Sequence, residues 1–211
     1  MRVYAVIDTN VIVSSMLTQN AESPTKIVMS YLRDGVIIPM INEDILEEYT
    51  DVLSRDKFCF AQSAIDEMLK LFGVRGMVCV PECLRNDFVD PNDVIFYETY
   101  RMQGGAYLVT GNMRHFPSEP RIVLPSDMVN IIRNAGRMLS EGEIEYMSVS
   151  TQVQLQRAWE AIERMRESAV ANGTADMSME EIDEEIRQYR EERLARRQRE
   201  ANDPRSAKNR D

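Results

Sequence analysis

The chain has 211 residues, of which 44% are hydrophobic, so it is long enough to bury a sizeable core in one domain or in a domain with an appendage. Its net charge of −10 argues against passive attraction to nucleic acid through surplus lysine and arginine. No apolar run approaches the roughly 20 residues that cross a bilayer, and the N-terminus lacks the pattern of a signal peptide. We therefore expect a cytoplasmic protein with no membrane partner.

Cysteine and acid content bear on metal binding in different ways. Three cysteines with a single histidine cannot complete an ordinary zinc site, so we expect free thiols. The surplus of acid has two readings. Carboxylates gathered round divalent cations would present a positive metal centre to a phosphate, and the alternative is simply a soluble acidic surface. Charge alone does not separate these readings.

The first chemical feature of the chain is the segment 6–10, Val-Ile-Asp-Thr-Asn. Residues 3–7 are β-branched and apolar, which is typical of an interior strand of a parallel sheet, and residues 11–17 continue with helical spacing. This pattern predicts that Asp8 lies at the carboxyl end of a strand. Ligands and catalytic groups collect at that edge of open α/β sheets, so we ask whether other acids converge there.

The rest of the first 137 residues alternates between predicted helices and strands. We predict helices from Ser23-Pro24, from Asn42 to about Ser54, over 63–72, from Val94, and after a capping Ser126, with strands at 36–39, 77–80, 106–110 and 121–124. Such alternation predicts a parallel sheet covered on both faces. Right-handed crossovers then bring the carboxyl ends of the strands to one edge.

One predicted helix turns a carboxylate inward. Its apolar residues follow the helical period: Ile45, Leu46, Tyr49, Val52 and Leu53. Glu48 lies on the same face, whereas Glu47 lies toward the polar side. An inward carboxylate is costly unless it is paired, protonated or metal-bound. Glu48 therefore needs a functional or a structural partner, and Glu47 does not.

Two aspartates flank the start of the helix that begins at Val94. Asp90 can cap this helix across Pro91, which suits a first helical position. Asp93, in the first turn, either favours the helix dipole or points into a site. Both roles of Asp93 stay open.

Several segments taken together resemble the PIN-domain nucleases, and most closely the VapC-like toxins of bacterial toxin–antitoxin pairs. They are Asp-Thr-Asn at 8–10, Glu48 with Val-Leu-Ser-Arg at 52–55, Asp-Pro-Asn-Asp at 90–93, and Val-Thr-Gly-Asn at 109–112 with His-Phe-Pro at 115–117. The resemblance covers residues 1 to about 135. It implies a three-layer α/β/α fold with a five-stranded parallel sheet in a domain over residues 1–137. It also implies a homodimer or higher oligomer.

The same resemblance implies a metal-dependent endoribonuclease acting on RNA. Asp8, Glu48 and Asp93 would be the catalytic acids that hold Mg²⁺ or Mn²⁺, with Asp90 as a further candidate ligand. Hard cations prefer carboxylate oxygens and keep several waters, so a carboxylate cluster can position metal, water and phosphate together. The residues that would orient the site or contact substrate are Asn10, Thr110, Asn112 and His115.

His115 is a departure from the family pattern. Many members carry a fourth acid at this place, although a subset of the resembling toxins uses histidine. The imidazole would bind metal, contact phosphate, donate a proton, or serve as a hydrogen-bonded turn residue, and these alternatives stay open. The missing acid also favours a second hypothesis, a catalytically silent PIN domain that acts as a binding or scaffold module.

Beyond about Arg137 the alternation stops, and residues 138–200 form a predicted helical extension. A sparse apolar stripe comprises Val153, Leu155, Trp159, Ile162 and Met165. A capping box at Ser178 and Glu181 opens a second helix. Its apolar residues are Ile182, Ile186, Tyr189 and Leu194, too few for independent folding. Residues 201–211 read as a disordered tail.

The segment 179–190 resembles the C-terminal segment of antitoxins that partner these toxins. Such segments wrap the toxin and present an arginine to its carboxylates, displacing metal. Arg187, Arg190 and Arg193 are the inhibitory candidates, since guanidinium matches carboxylate geometry. An ordinary solvated helix with i to i+4 charge pairs remains the alternative. Because Met147 reads like the start of a separate protein, we hypothesise that toxin and antitoxin are joined in one chain, with inhibition in cis or by exchange between protomers.

Overall fold

The computed structural model describes residues 2–81, 93–138 and 148–201. The strands are β1 (Val3–Ile7), β2 (Ile37–Ile41), β3 (Met77–Val78), β4 (Tyr107–Val109) and β5 (Ile122–Val123). The helices are α1 (Thr9–Leu17), α2 (Pro24–Arg33), α3 (Glu43–Leu53), α4 (Gln62–Arg75), α5 (Val94–Arg101), α6 (Pro125–Met138), α7 (Val149–Ala171) and α8 (Met179–Ala201). A 3₁₀ turn occupies Met113–His115.

The strands form one parallel five-stranded sheet in the order β3-β2-β1-β4-β5. Helices surround it, so the predicted α/β fold with a five-stranded parallel sheet is confirmed. From β1 the chain proceeds outward to β3, then crosses to β4 on the other side of β1. The strand order therefore reverses between β1 and β4, and this reversal opens a crevice at the carboxyl ends of those two strands.

Local signals place the helices close to their predicted bounds. The Asn42 side chain caps α3 by accepting a hydrogen bond of 2.8 Å from the Ile45 backbone N–H, as expected of an N-cap asparagine. Pro24 is the first residue of α2, where its missing N–H has no cost. The prediction that Ser126 caps α6 is wrong, because α6 already begins at Pro125. Strands β3, β4 and β5 are shorter than predicted.

Helix α7 belongs to the same hydrophobic cluster as the sheet. Leu155, Ile162 and Met165 are buried and confirm the predicted stripe, whereas Val153 is 44% exposed and does not belong to it. The Trp159 ring makes cation–π contacts with two guanidinium groups, the Cζ atoms of Arg33 and Arg166 lying 4.2 and 5.3 Å from its centroid. Helix α7 is thus packed on the sheet-bearing part of the chain through an apolar face.

A buried arginine ties α7 to α1. The Arg166 Nε–H donates to the Ser15 carbonyl at 3.0 Å, and its Nη1 lies 2.6 Å from Glu163. Burial lowers the pKa of Arg166, and the charge of Glu163 opposes that shift. This contact gives the apolar α7 interface a specific register on α1.

The remaining predictions concern the cysteines, membrane spans, the C-terminal tail and the domain boundary. Cys59 and Cys79 are free thiols, and Cys83 lies outside the described residues. None of the helices in the described ranges is long and apolar enough to span a membrane. The predicted tail 201–211 lies outside the described residues apart from Ala201, the last residue of α8. The domain boundary at residue 137 stays a prediction.

Replacing Ile162 in α7 tests whether this helix is part of the cooperative fold. Ile162 is fully buried, so Ile162→Ala is expected to lower the free energy of unfolding by roughly 2–5 kcal/mol through lost burial and a residual cavity. Chemical denaturation of the full chain measures the change. The control Val153→Ala, on the exposed side of the same helix, should stay within about 0.5 kcal/mol. Equal stability of both variants and the parent would contradict the shared core.

Candidate active site

Asp8, the first predicted acid, lies in the crevice between β1 and β4, next to the polar turn that follows β4. The Asp8 backbone N–H donates to the Val109 carbonyl at 2.9 Å, which sets the two strand ends side by side. Asp8 stands at the N-cap position of α1, but its side chain makes no capping hydrogen bond. Its carboxylate is therefore directed elsewhere, into the crevice.

The Asp8 carboxylate is only 3% exposed and is held by the turn. The Thr110 hydroxyl donates to Oδ2 of Asp8 at 2.7 Å and accepts from the Asn112 backbone N–H at 2.9 Å. Burial and the neighbouring charge of Asp93 raise the pKa of Asp8 to about 7, against the opposing effects of Arg190 and the Thr110 hydrogen bond. Asp8 is thus a carboxyl that titrates near neutral pH.

Glu48 faces inward, as the helical period of α3 predicts, and is 1% exposed. The Thr9 hydroxyl donates to its Oε1 at 2.6 Å. The neighbouring Tyr49 hydroxyl donates to the carbonyl of Ile7, the last residue of β1. These two contacts hold α3 against the end of β1 and bind Glu48 to Thr9, the residue that follows Asp8 in the chain.

Asp93 is the third predicted acid, and it is also 1% exposed. It stands directly before α5 but makes no capping hydrogen bond. Of its two open roles, the geometry supports the one that points into the site, where its Oδ2 lies 3.2 Å from Nδ1 of His115. The candidate ligand Asp90 lies outside the described residues.

His115 is oriented by two neighbours. Its Nε2 lies 2.9 Å from Nδ2 of Asn112, and Oδ1 of Asn112 is occupied by the Arg114 backbone N–H at 3.3 Å. The Asn112 amide nitrogen therefore faces the ring, so Nε2 accepts and Nδ1 carries the proton toward Asp93. The contact with Asp93 raises the pKa of His115, partly opposed by burial. His115 thus lies against Asp93, with its Nδ1 directed at Oδ2 of that carboxylate.

Helix α8 places an arginine between two of the acids. Arg190 is 4% exposed, and its Nη2 and Nε donate to Oε1 and Oε2 of Glu48 at 2.8 and 3.3 Å. Its Nη1 donates to Oδ1 of Asp93 at 2.8 Å. Burial alone would lower the pKa of Arg190, but the charges of Glu48 and Asp93 raise it. One guanidinium therefore bridges two carboxylates, with a bidentate pair to Glu48.

The other two inhibitory candidates take different positions. Arg193 donates to Glu47, so Glu47 has a partner that the sequence reading did not expect. Arg187 has a 58% exposed side chain and pairs with Glu184 and Glu191 of its own helix. Among the candidates, Arg190 alone is brought to the predicted catalytic acids. Arg187 fits the alternative prediction of a solvent-exposed helix surface with charge pairs between successive turns.

Asp183 is a site residue that the sequence reading missed. Its Oδ1 accepts from Nδ2 of Asn10 at 2.9 Å, and its Oδ2 accepts from Nδ2 of Asn112 at 3.1 Å. Burial raises the pKa of Asp183, and the two amide hydrogen bonds oppose that shift. Helical periodicity was the available signal, because residues 183 and 190 are two turns apart on one face of α8.

A cavity of about 510 Å³ lies between α8 and the crevice. The residues that line it include Asp8, Asp93, His115, Asp183 and Arg190. Within the described ranges, no three His, Cys, Asp or Glu side chains form a group arranged to hold a metal ion. The space between Glu48 and Asp93 is filled by the guanidinium of Arg190.

The fold and this crevice define an α/β protein with a cluster of buried acids where the strand order of its parallel sheet reverses. Residues 4–114 match the PIN domain, which is more than half of the chain, so the chain belongs to the PIN-domain family. PIN domains are generally nucleases that use divalent metal ions. Searches of curated proteins and of solved structures found no match.

Removing the Thr110 hydroxyl tests the electrostatics of Asp8. Because this hydroxyl stabilises the charged carboxylate, Thr110→Val is expected to raise the pKa of Asp8 above its value of about 7. Carbon-13 NMR of the Asp8 carboxyl against pH measures the change. Thr50→Val is the matched control, since its hydroxyl donates to the Leu46 carbonyl within α3. A lower or unchanged pKa in Thr110→Val would refute the assignment.

Proposed function

We propose that this protein is a metal-dependent endoribonuclease of the PIN toxin type, held inactive by its C-terminal helix α8. The observation that carries the proposal is the Arg190 guanidinium bound between Glu48 and Asp93. An acidic site of this kind attracts a cation, and here the cation belongs to the chain itself. RNA is the proposed substrate, and α8 supplies the part played by an antitoxin.

The donor set suits Mg²⁺ or Mn²⁺. Asp8, Glu48 and Asp93 present carboxylate oxygens, the ligands that hard divalent cations prefer. Against these buried acids Arg190 supplies a single positive charge, and the pKa of Asp8 is raised to about 7 first by burial and then by the charge of Asp93. A divalent ion bound here would activate a water and stabilise charge on the phosphate. The residues present therefore fit the metal once the guanidinium has left.

The chain's own groups have distinct tasks in this site. Thr110 orients the Asp8 carboxylate and Thr9 orients Glu48, each through a short hydroxyl donor. His115 holds Asp93 from the solvent side, and its side chain is 34% exposed. These contacts from Thr110, Thr9 and His115 keep the acids aligned, which matters because the orientation of the ligands determines metal affinity and reactivity.

Docking of α8 includes many polar contacts, and the partly exposed ones among them support its release from the crevice. Tyr189 donates to Asp51 at 2.8 Å, and Arg55 pairs with Glu185 and Glu192 at 3.2 and 3.1 Å. The predicted apolar contacts Ile182, Ile186 and Tyr189 are buried, whereas Leu194 is exposed. Ion pairs at a partly exposed interface are weakened by salt and exchange with water. We propose that α8 leaves the crevice while α7 stays packed.

A glycine provides room for the beginning of α8. A Cβ atom at Gly111 would lie 2.6 Å from Sδ of Met179, the first residue of that helix. The turn after β4 therefore contacts the helix directly, next to the residues that bind Asp183. This close approach supports α8 as a partner shaped to this site.

The second candidate function is a catalytically silent PIN domain that serves as a binding or scaffold module. His115 favours it, because the chain has an imidazole where many members of the family carry a fourth acid. The ring is engaged with Asp93 at 3.2 Å. On this reading Arg190 is a permanent structural partner of Glu48 and Asp93.

Replacing Arg190 separates these functions. Arg190→Gln leaves Glu48 and Asp93 without their cation, and loss of one partner of a buried pair is worth roughly 3–5 kcal/mol. We expect weaker docking of α8, tighter Mn²⁺ binding, and at least about tenfold faster Mn²⁺-dependent RNA cleavage. Calorimetry with Mn²⁺ and a gel-based cleavage assay on the full chain measure these effects.

Two controls accompany this variant. Arg187→Gln removes an arginine from the exposed face of α8 and should leave metal binding and cleavage unchanged. Adding Asp8→Asn to Arg190→Gln should abolish cleavage while the chain stays folded. If Arg190→Gln binds and is stabilised by Mn²⁺ but cleaves no RNA, the scaffold function is the correct one.

A further inference from the structure

Besides Arg190, helix α8 places a second charged residue, Asp183, in the crevice, where it binds Asn10 and Asn112. We propose that the side-chain amides of Asn10 and Asn112 form a phosphate-binding subsite, which Asp183 occupies as a surrogate for an RNA phosphate. The inference rests on the proposed function, because it assigns the place of the substrate in that same crevice. Each amide donates to a different carboxylate oxygen of Asp183, at 2.9 and 3.1 Å.

The donor direction of both amides is set by the PIN domain rather than by α8. The Gly111 backbone N–H donates to Oδ1 of Asn10 at 3.0 Å, and the Arg114 backbone N–H donates to Oδ1 of Asn112 at 3.3 Å. With each amide oxygen occupied, the NH₂ group is the other end of the amide. Both NH₂ groups donate to Asp183, and that of Asn112 also contacts Nε2 of His115. The pair is thus a preorganised receptor for an anion that offers two adjacent oxygens.

The negative charge of Asp183 supports the interpretation of Asn10 and Asn112 as an anion-binding site. Asp183 lies near Asp8 and Asp93, whose like charges disfavour a third carboxylate. A helix that served only to neutralise an acidic crevice would place neutral or basic residues there. An acid is nevertheless accommodated because two neutral donors converge on it. A phosphate has the same requirement, since it must lie beside the metal-binding acids.

Asp183 and Arg190 then occupy the two positions that we propose for the phosphate and the metal. Arg190 places a positive charge between Glu48 and Asp93, in the position proposed for the metal. Asp183 places a carboxylate on Asn10 and Asn112, in the position proposed for the phosphate. The two residues line one cavity with Asp8. Helix α8 therefore blocks metal and substrate through separate residues, and each block is removable by itself.

NMR of the side-chain amide groups tests the subsite directly. The full-length chain is labelled with nitrogen-15 and titrated with inorganic phosphate in the absence of divalent metal. In Asp183→Ala we expect phosphate to shift the NH₂ signals of both Asn10 and Asn112. The apparent dissociation constant should be at least about tenfold lower than in the parent chain, where Asp183 competes for the same donors.

Further variants make the result specific. Glu184→Gln is the matched control, because Glu184 pairs with Arg187 and Gln188 of its own helix, and it should behave as the parent chain does. Asp183→Ala combined with Asn112→Asp replaces a donor by an acceptor of the same shape and should lose phosphate binding. Asp183→Ala with Arg190→Gln covers the case in which α8 stays docked and shields the amides.

The NMR titrations can either support or refute the phosphate subsite. If phosphate leaves both amide signals unmoved in Asp183→Ala and in the Asp183→Ala/Arg190→Gln chain, Asp183 is a docking contact only and the subsite is refuted. A dissociation constant for phosphate in the parent chain equal to that in Asp183→Ala would also refute the surrogate role, because Asp183 would then not compete for the two amides. The readout needs neither metal nor cleavage, so a failure of the proposed nuclease activity in Arg190→Gln would be recognised separately.

Discussion

The buried carboxylates at the reversal point of the sheet are the constraint on which the rest of the structure depends. Glu48 and Asp93 are almost fully buried, and such charges are unfavourable in a protein interior without a counter-charge. The Arg190 guanidinium satisfies both at 2.8 Å, while hydroxyl donors from Thr9 and Thr110 hold Glu48 and Asp8. The site therefore requires a cation, which the structure supplies as Arg190; in the proposed function a divalent metal ion would take that place.

The two C-terminal helices are attached by different balances of apolar and polar contacts. Helix α7 is held by apolar burial around Ile162 and by the buried Arg166, so its release would expose core surface to water. Helix α8 buries Ile182, Ile186 and Tyr189 and adds many polar contacts. The pairs of Arg55 with Glu185 and Glu192 are partly exposed, whereas the pair of Arg190 with Glu48 is buried and needs another cation in its place when it separates. In the proposed function, a metal ion and a phosphate would take the places of the charges of Arg190 and Asp183.

Much of the fold and part of the site could be predicted because local patterns carry them. The apolar period of α3 places Glu48 inward, and the apolar run of β1 places Asp8 at a strand end. The two roles of Asp93 could not be separated from sequence, because a residue before a helix serves equally as a cap or as a ligand. The choice among Arg187, Arg190 and Arg193 depended on the rotation of α8 about its axis, which a nearly all-polar helix does not reveal.

The sequence by itself determined the alternation of strands and helices, the acids at the strand and helix ends, and the presence of a charged C-terminal helix, since each is a property of a short stretch of chain. Tertiary structure alone decided that β4 lies beside β1, and hence that Thr110 meets Asp8 across 102 residues. It also decided that Asp183 reaches Asn10 and Asn112 and that Arg190 reaches Glu48 and Asp93. Those contacts depend on long-range packing, which local periodicity does not encode.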